Sequence, residues 1–271
     1  MPRITLLTDF GTADGYVAAM KGVIAARAPG VAIDDASHEI PPGDVRAAAW
    51  ALSRYWHLYP EGTVHLVVVD PGVGSARRPL AAEARGRLFV APDNGVLTRV
   101  LAEAEDARVV AIEASEHFRT PVSATFHGRD VFAPVAAALA MRAAAVPAHE
   151  YGAILEAFGP LMTDPVRLPL SRPQRMPGRL LGEVVHVDRF GNLVTNVPGE
   201  WVPAGATVRV GDGPSMRVVR TYADVAPGEL LALVGSADLL EVSVRDGSAA
   251  AALGATRGSD VEVTLPGHAG A

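Results

Sequence analysis

Residues 66–69, Leu-Val-Val-Val, are apolar without one polar alternate. A strand with a solvated face alternates apolar and polar side chains. An unbroken apolar run therefore marks a strand covered on both faces, as in a parallel sheet packed between helices. Asp70 stands where that strand ends. In open α/β sheets ligands bind beyond the carboxyl ends of the strands, so a carboxylate at this point is a candidate functional group. Pro71, Gly72 and Gly74 let the chain turn tightly and return Arg77 or Arg78 toward the same crevice. The plain structural alternative is a strand-end turn with a capping Asp.

The flanking chain repeats the pattern. Residues 4–7, 31–34, 87–90 and 109–112 read as strands, and helical segments fall between them. Tyr16, Met20, Val23 and Ile24 share one helical face, with Asp14 as a candidate N-cap. The loop 38–44 opens a helix expected to run through Trp50, Trp56 and Tyr59; further helices are expected over 96–101 and 131–140. Asp9 follows the first strand and is a second carboxylate at a strand end. His38 in the loop is either a ligand or a hydrogen-bonding bystander. The cluster Thr125-Phe126-His127-Gly128-Arg129-Asp130 precedes an apolar helix, where free N–H groups suit an anionic or lone-pair ligand. Its structural alternative has Asp130 capping the helix, Arg129 paired with a nearby carboxylate and His127 satisfied and partly buried.

After residue 158 both periodicities fade into a stretch rich in Pro and Arg. Short β-rich runs then occupy 180–187, 193–197, 207–210, 216–222, 230–234, 239–244 and 261–265, separated by turn formers, the spacing of a small antiparallel sandwich or barrel. The expected organisation is an α/β N-terminal domain with a central, largely parallel sheet (1–165), a linker (166–179), and a smaller all-β, barrel-like C-terminal domain (180–271). The 271 residues suffice for two such cores, and a net charge of -6 argues against binding along a phosphate backbone. Nucleic acid is not an expected partner. No cysteine is present, which removes disulfides, thiolate nucleophiles and cysteine metal sites. No apolar run reaches ~18 residues and the chain enters a strand pattern at once, so neither a membrane span nor a leader is expected and a cytoplasmic location is.

Six ordered motifs, LLTDFGTADGYVAAMKG, VDPGVGSARRPL, APDNGVL, FHGRDVFAP, VDRFGNLVTN and GSADLLEV, together resemble the S-adenosyl-L-methionine (SAM) hydroxide adenosyltransferases, or SAM hydrolases, relatives of the fluorinases and chlorinases. The similarity spans nearly the whole chain. It implies an N-terminal α/β domain, a β-barrel-like C-terminal domain, and a homotrimer with sites between neighbouring subunits. It also implies attack by water or hydroxide on ribose C5′, releasing adenosine and L-methionine, without a metal or other cofactor. The family's catalytic triad falls on Asp70, Arg77 and His127. Asp70 would accept a hydrogen bond from the water and touch the ribose, Arg77 would hold Asp70 ionised or stabilise hydroxide, and His127 would orient the water or relay its proton. Arg78 is separated from Arg77 only by alignment of the turn. Substrate contacts carry over to Asp9 at the ribose hydroxyls, Asp14 and Asp188 near the methionine ammonium, Asn192 at the adenine, and Ser236, Glu241 and Val244 in the last motif. The structural alternatives there are turn-stabilising Asp and Asn, and a charge on a strand's outer face.

Two enzymatic rivals and one non-catalytic rival stand beside this. A halide-dependent adenosyltransferase resembles the pattern but carries Ser where this chain has Gly128 and Tyr where it has Asp70. A metal-dependent phosphoesterase would use Asp9, Asp70, Asn94 and His127 as hard-metal ligands. A SAM or adenosine sensor would bind without turnover.

Overall fold

The computed structural model describes residues 2–267. The chain divides into two compact units, Met1–Leu168 and Pro169–Ala271. The first holds a six-stranded sheet: β1 (Arg3–Thr8), β2 (Ala32–Ser37), β3 (Val64–Val68), β4 (Pro79–Ala84), β5 (Arg87–Pro92) and β6 (Arg108–Ala111). The order is β2-β1-β3-β5-β4-β6, parallel from β2 through β5, with β4 antiparallel to both neighbours. Its helices are α1 (Tyr16–Arg27), α2 (Val45–Ser53), α3 (Thr98–Glu103), α4 (Ala133–Ala143) and α5 (Tyr151–Glu156).

Strand side chains alternate between two cores, as the pleat requires. Ile4, Leu6, Val64, Leu66 and Val68 pack with Met20 and Ile24 of α1, Val135 and Leu139 of α4, and Leu155 of α5. Leu7, Val67, Val69 and Phe89 face the other way, onto Leu52 of α2 and Val100 and Leu101 of α3. Every residue of β3 is buried, as a strand between two helical layers must be. Each Leu- or Val-sized side chain so buried stabilises the unit by roughly 1.5–3 kcal/mol before ordering costs. The sheet's edges are dressed differently. β2 carries Asp34 and Asp35, paired with Arg3 and Lys21. Beyond β6, Leu161 bridges Val110 while Ala111 N–H donates to the Pro160 carbonyl (3.0 Å) and Met162 N–H to that of Val109 (2.8 Å).

Several local expectations are corrected. Helix α2 stops at Ser53, and Trp56–Leu58 form a separate 3₁₀ turn. Six residues along an unbroken helix is about 240° of rotation, which would aim Trp56 away from the face of Trp50. The break lets Trp56 bury fully against Phe89, with ring centroids 5.6 Å apart. Asp14 does not cap α1: the cap is Gly15 in the left-handed region, with no side-chain bond. Tyr16 lies off the buried face of Val17, Met20 and Ile24 and is 49% exposed. Strand β4, Pro-Leu-Ala-Ala-Glu-Ala, was not expected, because alanine and glutamate are poor strand formers.

The second unit is antiparallel throughout its named strands: β7 (Gln174–Met176), β8 (Arg179–Val187), β9 (Leu193–Pro198), β10 (Thr207–Val210), β11 (Met216–Arg217), β12 (Leu230–Val234), β13 (Leu239–Val244) and β14 (Asp260–Thr264), with one short helix, α6 (Ala249–Leu253). The order is β11-β10-β14-β8-β9-β13-β12, and β7 pairs with β8. Val218 bridges Ala232 of β12, which nearly closes the sheet into a barrel. Its core gathers Leu180, Val184, Leu193, Val208, Leu240, Val242 and Val263. The expected strand over 216–222 is cut to two residues, because Thr221 and Asp224 form a capping box around the 3₁₀ turn Tyr222–Asp224. Strand β7 lies inside the stretch read as linker. Among the described residues no helix is long and apolar enough to cross a membrane.

Candidate active site

Strands β1 and β3 run parallel in register, Thr8 beside Val68, so Asp9 and Asp70 emerge from adjacent strand ends. The turn after β3 folds back as its glycines allow. Gly74 has φ +78°, and a Cβ there would stand 2.6 Å from the carbonyl oxygen of Ala124. That return brings Arg77 onto Asp70: Nε donates to both carboxylate oxygens at 2.9 Å and Nη2 to Oδ2 at 2.5 Å. The pair is nearly buried, with side chains 9% and 5% exposed. Arg77 Nη2 also lies 2.8 Å from His127 Nδ1, and its guanidinium sits over the Phe132 ring at 5.0 Å. A guanidinium carries only donors, so Nδ1 accepts and His127 is the neutral tautomer with its proton on Nε2. Burial, and then the adjacent Arg77 charge, hold His127 below the ordinary histidine pKa, against the opposing pull of Asp70 and Asp130.

His127 is delivered by a π-helical turn, Gly128–Phe132, that runs directly into α4. Asp130 does not cap a helix. It is fully buried and binds Arg119 (2.5 Å), Arg129 (2.7 Å to each oxygen) and the Ser123 N–H (2.9 Å). Those charge-assisted bonds, with that to Arg129 foremost, push its carboxyl far below the usual range. Arg78 turns away from Arg77, to Asp93 (2.7 Å) and Asp164 (3.0 Å).

Asp70 and His127 face a cavity of about 410 Å³ whose wall is completed by Phe10, Tyr16, Phe126, Ser123, Thr125, Gly128 and Arg129 among others. That volume falls in the range of small-molecule sites, ~300–1,000 Å³. Phe126 packs edge to face on both Phe10 and Tyr16, which are tilted against each other, with centroids 5.2–5.9 Å apart. Phe10 and Phe126 were legible only as parts of polar motifs, and Tyr16 read as core; nothing in their spacing separates a cavity wall from a core.

The other candidates are placed as follows. Asp9 Oδ2 accepts from the Gly43 N–H at 2.7 Å. Asp14 is exposed beside Gly15. His38 is buried, with Nδ1 on the Thr8 hydroxyl (2.8 Å) and Nε2 3.0 Å from Asp35, which is the bystander's role. Asn94 donates to the Val69 carbonyl at 2.9 Å and so steadies the strand end before Asp70. With Asn94 so committed and Asp70 gripped by Arg77, the four residues of the phosphoesterase rival do not form a ligand set. No cluster of three His, Cys, Asp or Glu suited to a metal occurs among the described residues. In the second unit Asp188 and Asn192 close the β8–β9 turn: Asp188 accepts from the N–H groups of Phe190 and Asn192 and from the Asn192 amide, at 2.8–2.9 Å. Ser236 is exposed between β12 and β13. Glu241 is 9% exposed and accepts from the Tyr222 hydroxyl (2.6 Å) and the Ser243 hydroxyl (3.0 Å). Burial, then the bond to Glu241, pushes the Tyr222 phenol up to about 12. Val244 ends β13 and its carbonyl accepts from Gly247 N–H at 3.2 Å.

Both units resemble known proteins. Residues 4–148 match the family profile for the SAM hydroxide adenosyltransferase N-terminal domain, and residues 182–262 that for its C-terminal domain. The chain is 43% identical to a Salinispora tropica protein named (R)-S-adenosyl-L-methionine hydrolase, over 97% of this chain and 98% of that one. It is 42% identical to a Thermus thermophilus protein of the same name, over 97% and 100%. A crystal structure of an uncharacterized conserved protein from Thermotoga maritima superimposes with a TM-score of 0.87 at 38% identity, covering 96% of this chain and 99% of that one. With both domains matched in order and the likeness running the length of the molecule, the chain belongs to the SAM hydroxide adenosyltransferase family.

Proposed function

We propose that the protein hydrolyses S-adenosyl-L-methionine to adenosine and L-methionine by attack of water at ribose C5′. The observation that carries this reading is that Asp70 and His127 line one cavity and are both bonded to the same guanidinium, that of Arg77. The chemistry asks little more. The sulfonium leaves as a neutral thioether, so no general acid is required and no metal is needed to stabilise a departing anion. What remains is to hold one water in line with the C–S bond and shed its competing solvent. Asp70, fixed by Arg77, accepts from that water as its proton develops positive charge; His127, with its proton on Nε2, donates to the water's oxygen and orients it. Arg77 therefore aligns the other two at once.

Asp9 takes the ribose hydroxyls with the oxygen not held by Gly43, and Asp14 and Asp188 face the ammonium of the methionine arm. Asn192, Ser236, Glu241 and the Val244 backbone complete substrate binding. These C-terminal residues serve a neighbouring subunit in a cytoplasmic homotrimer. Supporting the hydrolytic reading over halide transfer are Asp70 at the nucleophile and Gly128 beside it.

The test is incubation with both sulfonium epimers of SAM, since the relatives' name specifies one, in ¹⁸O-enriched water with chelator, with and without halide. Adenosine labelled at its 5′ oxygen, with equimolar methionine, is expected. A 5′-halogenated nucleoside would establish the halogenase, and bound but unchanged SAM the sensor. Sedimentation of the purified protein tests the trimer.

A further inference from the structure

The loops that follow β1 and β2 are joined by a buried histidine that the hydrolytic chemistry leaves unused. His38 is 5% exposed and holds the segment after β1 at two points. Its carbonyl accepts from the Gly11 N–H at 2.8 Å, and its Nδ1 lies 2.8 Å from the Thr8 hydroxyl. Thr8 is fully buried at the end of β1, and its Oγ accepts from the Phe10 N–H at 3.3 Å. Further along the histidine's own loop, the Gly43 N–H donates to the Asp9 carboxylate. Each of residues 8–11 is thus tied, directly or through one neighbour, to the loop 38–43. Gly11, at φ +62° with open space around it, adds no packing there, so these bonds set the segment's course. Two of the residues so held matter to the site: Phe10 lines the cavity, and Asp9 carries the carboxylate assigned to the ribose. The ring's proton gives the path a direction. Nε2 stands 3.0 Å from Asp35 Oδ1 in a close electrostatic contact, and Asp35 is bonded in turn by Lys21, the chain's only lysine, at 2.6 Å. A carboxylate favours the ring proton on the nitrogen beside it, so Nε2 carries it and Nδ1 accepts from Thr8. The Thr8 oxygen is then left to accept from Phe10.

We propose that His38 is a positioning residue: through its Nδ1 bond to Thr8 it sets the course of residues 9–11, and so aims Asp9 at the ribose hydroxyls. This rests on the SAM-hydrolysing reading for the nature of the nucleoside and adds a residue that acts on it only through others. Asp35 holds the tautomer that lets His38 do so.

The experiment compares wild type, His38→Asn and His38→Gln. The Asn amide oxygen can take the place of Nδ1 and accept from Thr8, whereas the longer Gln carries its amide toward the position of Nε2 and forgoes that bond. Calorimetry reads the affinities for adenosine and 2′-deoxyadenosine, and steady-state kinetics on SAM reads KM and kcat. Wild type should bind adenosine roughly tenfold to hundredfold more tightly than 2′-deoxyadenosine, the worth of a hydrogen bond to a charged group. His38→Gln should reduce that ratio severalfold, with 2′-deoxyadenosine affinity nearly unchanged, and should raise KM for SAM more than it lowers kcat. His38→Asn should retain most of the wild-type ratio. Equal losses on both nucleosides in His38→Gln would overturn the proposal in favour of a purely structural histidine, as would a wild-type ratio in His38→Gln or a loss in His38→Asn as large as that in His38→Gln. Any of those results, with wild type still turning over SAM, leaves the hydrolase reading intact. Conversely, a wild type that left SAM unchanged would overturn the hydrolase reading, while the nucleoside ratios would still decide the role of His38.

Discussion

Arg77 is the residue on which the site turns, since it bonds both Asp70 and His127. Asp70→Ala should abolish hydrolysis while SAM still binds, measured by product formation and calorimetry; wild-type turnover in that variant would sink the mechanism. His127 supplies a pH test. Its pKa is held below the usual histidine value by burial and by Arg77, so the neutral form persists as pH falls through about 6.5. Only below that does protonation put a cation against Arg77 and remove the acceptor at Nδ1. The acid limb of kcat/KM should therefore lie under pH 6.5 and shift in His127→Gln; a limb at or above 6.5 would contradict the assigned tautomer. The same sign holds for stability, which this group contributes fully above 6.5 and loses toward its depressed folded value. Asp70 was legible because it ends a run that only a doubly covered strand explains. Arg77 and Arg78 were not separable by spacing; packing sends one to Asp70 and the other to Asp93 and Asp164.

At the scale of elements, the turn after β3 depends on Gly74. A side chain there must adopt φ +78° and meet the Ala124 carbonyl. Gly74→Ala should cost about 1–3 kcal/mol in denaturant unfolding and depress kcat/KM, because the turn carries Arg77 and Ala124 adjoins the cavity-lining Ser123 and Thr125. Gly11→Ala, at φ +62° with open space around it, should cost only the dihedral term. Equal effects would mean that the contact with Ala124 contributes nothing. Elements with a continuous apolar run, β1, β3 and α4, were readable from sequence. Those decided by packing were not: β4 is strand only because β5 and β6 flank it, and α6 is five residues of alanine and leucine between Ser248 and Gly254, whose cap and left-handed stop were its single local signal.

For the whole molecule, the passage between units offers a direct probe. Val166 N–H is tied to Asp93 (2.7 Å) and Leu168 N–H to Thr98 (2.8 Å), whereas Ser171 accepts from Asn196 (3.1 Å). Between these anchors Leu170 is 42% exposed. Chymotrypsin should nick first after Leu170, and trypsin at Arg167 should be slower; a first cut before residue 166 or after residue 171 would contradict the division at 168. The sheet's margins carry a separate consequence. β2 presents acidic side chains at one margin, but β6 is shielded only by backbone borrowed from residues 160–162. A fragment or nascent chain ending before that segment would hold its core residues yet display a row of unpaired amides and carbonyls, a template for intermolecular strand pairing. Truncation at residue 159, which keeps the buried Phe158, should thus yield fibrillar or amorphous aggregates, while truncation at 168 stays dispersed, so residues 160–162 work as a guard against self-association.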